Sequence, residues 1–195
     1  MGVSDKSKYE LDYSNYDFGQ FTITIPQKPN WIEDETYLEL YREYENKMAN
    51  ARSAVDLYFN EALNNRNLLI NASASIDAII KEYNNLLEKL TKCSTIIYTS
   101  ARNISSANKY INWAYDNKKN SSTKISKIKK NVENQKEKIV NLHSNIKNLK
   151  EDINTRIKNL ENCKKKNQDF ENRFISVLRY LNGMGIKLGL PSKFE

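Results

Sequence analysis

From Tyr37 to Ala114 apolar side chains return at alternating steps of four and three residues. They run through Tyr41, Tyr44, Met48, Ala51, Val55, Tyr58, Ala62, Leu69, Ala72, Ile76, Ile79, Tyr83, Leu86, Leu90, Cys93, Ile97, Ile104, Ala107 and Ile111, and only Asn65 and Ser100 interrupt the series. A mean step of 3.5 residues keeps one stripe on one face of an α-helix, and eleven heptads in unbroken phase predict one helix or two nearly collinear ones. The same period resumes at Ile125 and continues through Ile128, Val132, Ile139, Leu142, Ile146, Leu149, Ile153, Leu160, Cys163, Phe170, Phe174 and Val177 to Leu181, with Gln135, Arg156 and Asn167 as its polar exceptions. No Gly or Pro falls between Trp31 and Asn182, so the strongest breakers of regular structure are missing from both arms. The pattern predicts an all-α fold, an elongated antiparallel coiled-coil-like hairpin. A three-helix bundle is the alternative if the chain turns within Asn64–Ser75, where Asn64, Asn65, Asn67, Asn71, Ser73 and Ser75 all have low helix propensity.

Three segments follow from the interruptions. Residues 1–31 form an acidic, Tyr-rich leader punctuated by Gly19, Pro26 and Pro29, with one alternating run, Phe21 to Ile25, that has the period of an extended strand. The leader is expected to be mobile or partner-dependent, with the alternating run packed along the chain's own helices or added to a partner's sheet edge. Residues 32–182 form the helical domain, opened by Glu33, Asp34 and Glu35 at the positive end of a helix dipole. Its hairpin tip falls at 116–123, where Ser121, Ser122 and Thr123 can cap the second arm. Gly183 and Gly185 are expected to end that arm, leaving 183–195 as a tail.

The flanks of the stripe differ between the arms. The second arm is edged by Lys124, Lys129, Lys136, Lys138, His143 and Lys150, which suits a single neighbour. The first is widened by Leu38, Leu40, Phe59, Leu63, Leu68, Ile70, Ile80, Leu87 and Ile96, an arc that one helix cannot cover. The second arm is also too short to cover residues 33–60. A dimer or a hetero-oligomer with another helical protein is therefore expected, with Tyr37, Leu38, Tyr41, Tyr44, Phe59, Leu63, Ile70, Ile80 and Leu87 as its interface. A monomeric bundle bent at Asn64–Ser75 would remove that need.

Charge sharpens the picture. The net +7 divides into −6 over residues 1–61 and +13 over the rest. Lys118, Lys119, Lys124, Lys127, Lys129 and Lys130 crowd the tip, and Asp116 is the one acid beside them. Such a cluster either keeps a coiled coil in solution or contacts phosphate groups on an anionic membrane, a nucleic acid or an acidic protein. Few arginines and no helix-turn-helix or zinc pattern disfavour sequence-specific DNA binding. His143 is the one histidine, no glycine loop could cradle a phosphate, and two cysteines make no disulfide framework. No catalytic residue, cofactor, metal site or small-molecule substrate is expected, and both thiols are expected in the packed seam. With no run of 18 apolar residues and no secretory signal, the expected location is cytoplasmic, with peripheral attachment to a membrane left open.

A basic-tipped, antiparallel helical unit from Glu33 to Asn182 with one broad apolar face resembles a BAR domain of the sorting-nexin type. The nearest local similarity runs from Arg156-Ile157-Lys158-Asn159-Leu160 through Asp169-Phe170-Glu171-Asn172-Arg173-Phe174 to Leu181. The resemblance implies a crescent-shaped dimer whose tip lysines and concave face meet curved anionic membrane. The first helix is short for that family. Together these readings lead to a non-enzymatic, oligomerising scaffold that contacts an anionic surface, with a purely structural subunit or tether of a larger assembly as the rival and non-specific nucleic-acid binding third.

Overall fold

The structure, a computed structural model, describes residues 9–31, 34–117 and 122–194. Two long helices pack against each other: α1, Asp34–Asn117, of 84 residues, and α2, Ser122–Lys187, of 66 residues. Among the described residues there is no strand. The hairpin is the form the chain takes, and α1 passes through Asn64–Ser75 without a break. Six polar residues there forfeit roughly 0.5 kcal/mol of helix propensity each. Burying Leu69 and Ile76 completely returns about 1.5–3 kcal/mol apiece, which offsets that loss. The polar side chains also bond back along the helix, Asn65 Nδ2 to the Glu61 carbonyl at 3.0 Å and Ser75 Oγ to the Asn71 carbonyl at 3.1 Å.

The helices contribute to two compact units, one of Met1–Asp77 with Glu161–Glu195 and the other of Ala78–Leu160. In the first unit Val55, Ala62 and Leu69 of α1 meet Phe174, Leu178 and Leu181 of α2 in a fully buried layer. Antiparallel pairing shows in Arg66 beside Glu171 at 3.7 Å and Lys164 on Asp77 at 2.6 Å. Residues 9–31 supply a third layer over this pair, so much of the leader is neither mobile nor waiting for a partner. The rings of Tyr13, Tyr16 and Phe18 lie 4.9–5.4 Å from that of Phe174, and Arg173 sits 4.0 Å over Phe18. After the 3-10 turn Phe18–Phe21 the chain is extended. Phe21 and Ile23 point inward while Thr22 and Thr24 face solvent, as a two-residue period demands. In place of a sheet partner, the Ile23 N–H donates to Tyr180 Oη at 3.0 Å and Tyr180 Oη donates to the Ile23 carbonyl at 3.3 Å.

Asn65, which breaks the apolar series, anchors this layer. Its Oδ1 accepts from Tyr13 Oη at 2.9 Å, its Nδ2 donates to Tyr16 Oη at 3.3 Å, and Tyr16 Oη donates to Glu61 Oε1 at 2.9 Å. Burial, and then the Glu61 carboxylate, raise the Tyr16 hydroxyl far above its ordinary value of 10.0; burial also raises Tyr13.

The other flank of α1 is covered by the C-terminal segment. Helix α2 runs through Gly183 and Gly185, which do not stop it. Gly185 is where the helices approach closely, since a Cβ there would meet Val55 Cγ1 at 3.2 Å. The stop is Gly189, at φ +83°, with its N–H donating to the Ile186 carbonyl and the Leu190 N–H to the Gly185 carbonyl. That is a Schellman cap, which needs the left-handed residue that glycine supplies. Arg52 Nε then donates to the Leu188 carbonyl at 2.7 Å, Lys193 pairs with Asp56 at 2.7 Å, and Phe194 lies 5.9 Å from Phe59.

Among the described residues the second unit has no third layer. Its contact line on α1 follows Tyr83, Leu87, Leu90, Ser94, Ile97, Ile104, Asn108 and Ile111, while Leu86 and Cys93 are exposed. Cys163 is buried in the first unit, so only one of the two thiols occupies a packed seam. On α2, Ile139, Ile146 and Ile153 are inward, and Ile128, Leu142 and Leu149 are about half exposed. Two stripes share every seventh residue, Tyr83, Leu90, Ile97, Ile104 and Ile111. The contact shifts to the residue after the expected second position at Leu87, Ser94 and Asn108, which follow Leu86, Cys93 and Ala107, while Ser100 and Ala114 keep their expected places.

Two outcomes follow. Phe174→Ala removes the ring on which the leader packs and lowers stability by about 3–5 kcal/mol in urea unfolding. Tyr13 and Tyr16 are raised only in the folded chain, so their contribution is complete below pH 10 and is lost as pH climbs past it. Melting temperature falls above pH 10, and Tyr16→Phe, though less stable at pH 8, falls less steeply over that range.

Candidate functional site

Charge separates by unit. Residues 78–160 hold 17 Lys/Arg against 7 Asp/Glu, a net +10, and the remaining residues hold 14 against 17, a net −3. Of the expected tip contacts, Lys118 and Lys119 lie outside the described residues. Lys124, Lys127 and Lys130 are exposed and, at three-residue steps, fan across one outward arc of α2. Lys129 is two residues on from Lys127 and faces the other way, with its ammonium 5.0 Å over the Tyr115 ring. It tethers the end of α1 to the start of α2 and is half-buried, which leaves less of its charge for a ligand.

The outer face of α1 in this unit is basic too. From Lys89 to Tyr115 it carries Lys89, Lys92, Arg102 and Lys109 and no acid. At 100° per residue, Lys92, Tyr98, Arg102, Lys109, Tyr110 and Trp113 fall within one arc of about 120°, and all six are exposed. Glu88, paired with Lys92 at 2.9 Å, and Asp116 bound that arc at its two ends along α1. Tyr98, Tyr110 and Trp113 expose 67, 75 and 61 % of their surface. Ser106, Lys109, Tyr110 and Trp113 border a shallow concavity of about 530 Å³. None of the three rings belongs to the apolar stripe, so a search for heptads passes over them. The available signal was the run of aromatic and basic residues off the stripe with no acid among them.

The seam beneath is polar for a helix pair. Asn108 and Asn112, one turn apart, have buried Oδ1 atoms without a hydrogen-bond partner among the described residues, each a cost of about 1–3 kcal/mol. Arg156 is held on α2 by Asp152 at 2.9 Å and reaches Tyr83 across the pair.

Of the residues expected to recruit a partner chain, only Tyr37, Tyr41 and Tyr44 are brought together, and the rest are divided between cores and exposed positions. Phe59 is buried in the first unit's core and Leu63 packs against it, so the leader and tail already occupy part of the broad arc. Ile80 and Leu87 are half-buried in the second unit; Leu38 and Ile70 are exposed. Tyr37, Tyr41 and Tyr44 form a ladder with Trp31, ring to ring at 4.9, 5.8 and 5.8 Å, and Lys28 lies 6.0 Å over Tyr41. Beside it, Ile25, Pro26, Leu40, Tyr44, Lys47 and Tyr58 help line an open groove of about 790 Å³.

Among the described residues no group of three or more His, Cys, Asp or Glu side chains could hold a metal ion, and no helix is long and apolar enough to cross a membrane. No protein-family model, no curated protein and no solved structure matches the chain.

Proposed function

We propose that this chain is a non-enzymatic helical scaffold that holds an anionic surface, a membrane, through the unit of residues 78–160 and associates with other helical chains. The observation that carries the reading is the separation of charge: a net +10 on one unit, with lysines outward on α2 and a predominantly basic outer face on α1. A surface of that kind attracts a phosphate-bearing sheet over the range of a Debye length, at about 1 kcal/mol for each lysine near the plane. The resemblance to the sorting-nexin type of BAR domain points the same way. Self-association has its support in Leu86, Leu142 and Leu149, large side chains of a two-helix unit that its own contact line leaves exposed.

A structural tether is the second reading, favoured by the ladder from Trp31 to Tyr44 and by exposed Leu38, an apolar surface fit to dock a neighbouring protein. Co-sedimentation with phosphatidylserine vesicles separates the two. Lys124→Glu/Lys127→Glu/Lys130→Glu, all on exposed positions, is expected to keep its helical circular dichroism and lose more than about a hundredfold in partitioning. Sedimentation by neither sinks the membrane reading in favour of the tether, and equal sedimentation of this variant and the parent removes these three lysines from the contact.

A further inference from the structure

The lysines account for attraction to a surface, but they leave the three exposed rings on the same unit without a role. An aromatic ring with a polar tip is costly to leave in water and is favoured where one end is apolar and the other wet. Tyr98, Tyr110 and Trp113 present such rings on one arc of α1, interleaved with Arg102 and Lys109, whose long stems can lie along apolar surface while their charges stay in the headgroups. Trp and Tyr flanked by basic residues are the composition of a membrane–water boundary. Single-stranded nucleic acid would also stack on rings and pair with cations. The arc is richer in Lys than Arg, and Tyr98, Tyr110 and Trp113 are spaced by 12 and 3 residues, with no regular step for successive bases to follow.

Resting on the membrane reading above, we propose that this arc is the part of the chain that enters the bilayer, with Trp113, Tyr110 and Tyr98 lodged at the headgroup boundary of an anionic leaflet. Lys109 and the concavity it shares with Tyr110 and Trp113 would then face a lipid phosphate. Attachment on this account has two components, a salt-sensitive one from the lysines and a salt-resistant one from the rings.

The test uses the full chain with Trp31→Phe, which leaves Trp113 as the sole tryptophan. On vesicles of phosphatidylserine and phosphatidylcholine its emission is expected to move to shorter wavelength and to be quenched by brominated lipid, with no change on phosphatidylcholine alone. Tyr98→Ser/Tyr110→Ser/Trp113→Ser in the parent is expected to keep its helical content and to lose about tenfold in vesicle partitioning at high salt. If the chain sediments with anionic vesicles while Trp113 emission and quenching stay as in buffer, the insertion is overturned and the electrostatic reading survives. Failure to sediment overturns both. A shift with a single-stranded oligonucleotide and none with vesicles overturns the insertion in favour of nucleic acid.

Discussion

Two helices lying side by side shield only one stripe of each other, and everything else in this chain depends on how the remaining surface is covered. In the first unit the α1 stripe is wide: Val55, Tyr58, Phe59, Ala62, Leu63, Asn65 and Leu69 turn through more than the arc α2 can reach. The leader covers one flank, through Tyr13, Phe21 and Ile23, and the segment from Leu188 onward covers the other, through Leu188, Leu190 and Phe194. Phe174 is the common point, packed at once against α1 and under three leader rings. A helix pair closed in this way from both ends of the chain has a core of globular character.

That arrangement alters the meaning of the wide stripe. Breadth in a coiled-coil pattern says that more than one neighbour is needed, but not whether the neighbour is another chain. Here part of the demand is met by 23 described leader residues and a short tail, neither with helical period, which is why a reading built on heptads assigned Phe59 and Leu63 to a partner. The alternation of Phe21 to Ile25 was legible because an extended chain against a flat apolar surface must bury every second residue. Its anchorage on the hydroxyl of Tyr180 was not, since nothing local ties residues 157 positions apart.

The existence and type of the two long helices were legible, because both arms keep a helical period with no Gly or Pro between Trp31 and Asn182, whereas the 3-10 turn Phe18–Phe21 was not. Details failed where two answers share most of their residues. Leu86 and Leu87 are equally apolar, and either continues a stripe through Tyr83 and Leu90, so the choice rests on how the partner lies. The glycines show the same limit: Gly183, Gly185 and Gly189 look alike as stops, yet only Gly189 adopts positive φ, and Gly185 is instead the point where Val55 comes near. The tip lysines were legible as charge; Lys129 was not legible as a residue folded over Tyr115.

The contrast between the units bears directly on function. In the first, aromatic residues of the leader are turned inward, the hydroxyls of Tyr13 and Tyr16 are matched to Asn65 and Glu61, and that of Tyr180 to the Ile23 backbone. In the second, Asn108, Asn112 and Ser94 sit on the contact line, and Tyr98, Tyr110 and Trp113 face out. Exchanging those positions would give a drier seam and a more soluble surface, so stability does not explain the arrangement. A side chain placed against the interests of its own fold is explained by something outside the fold. On the membrane reading proposed above, Arg102 and Lys109 beside these rings would meet the anionic side of a leaflet and the rings its apolar side.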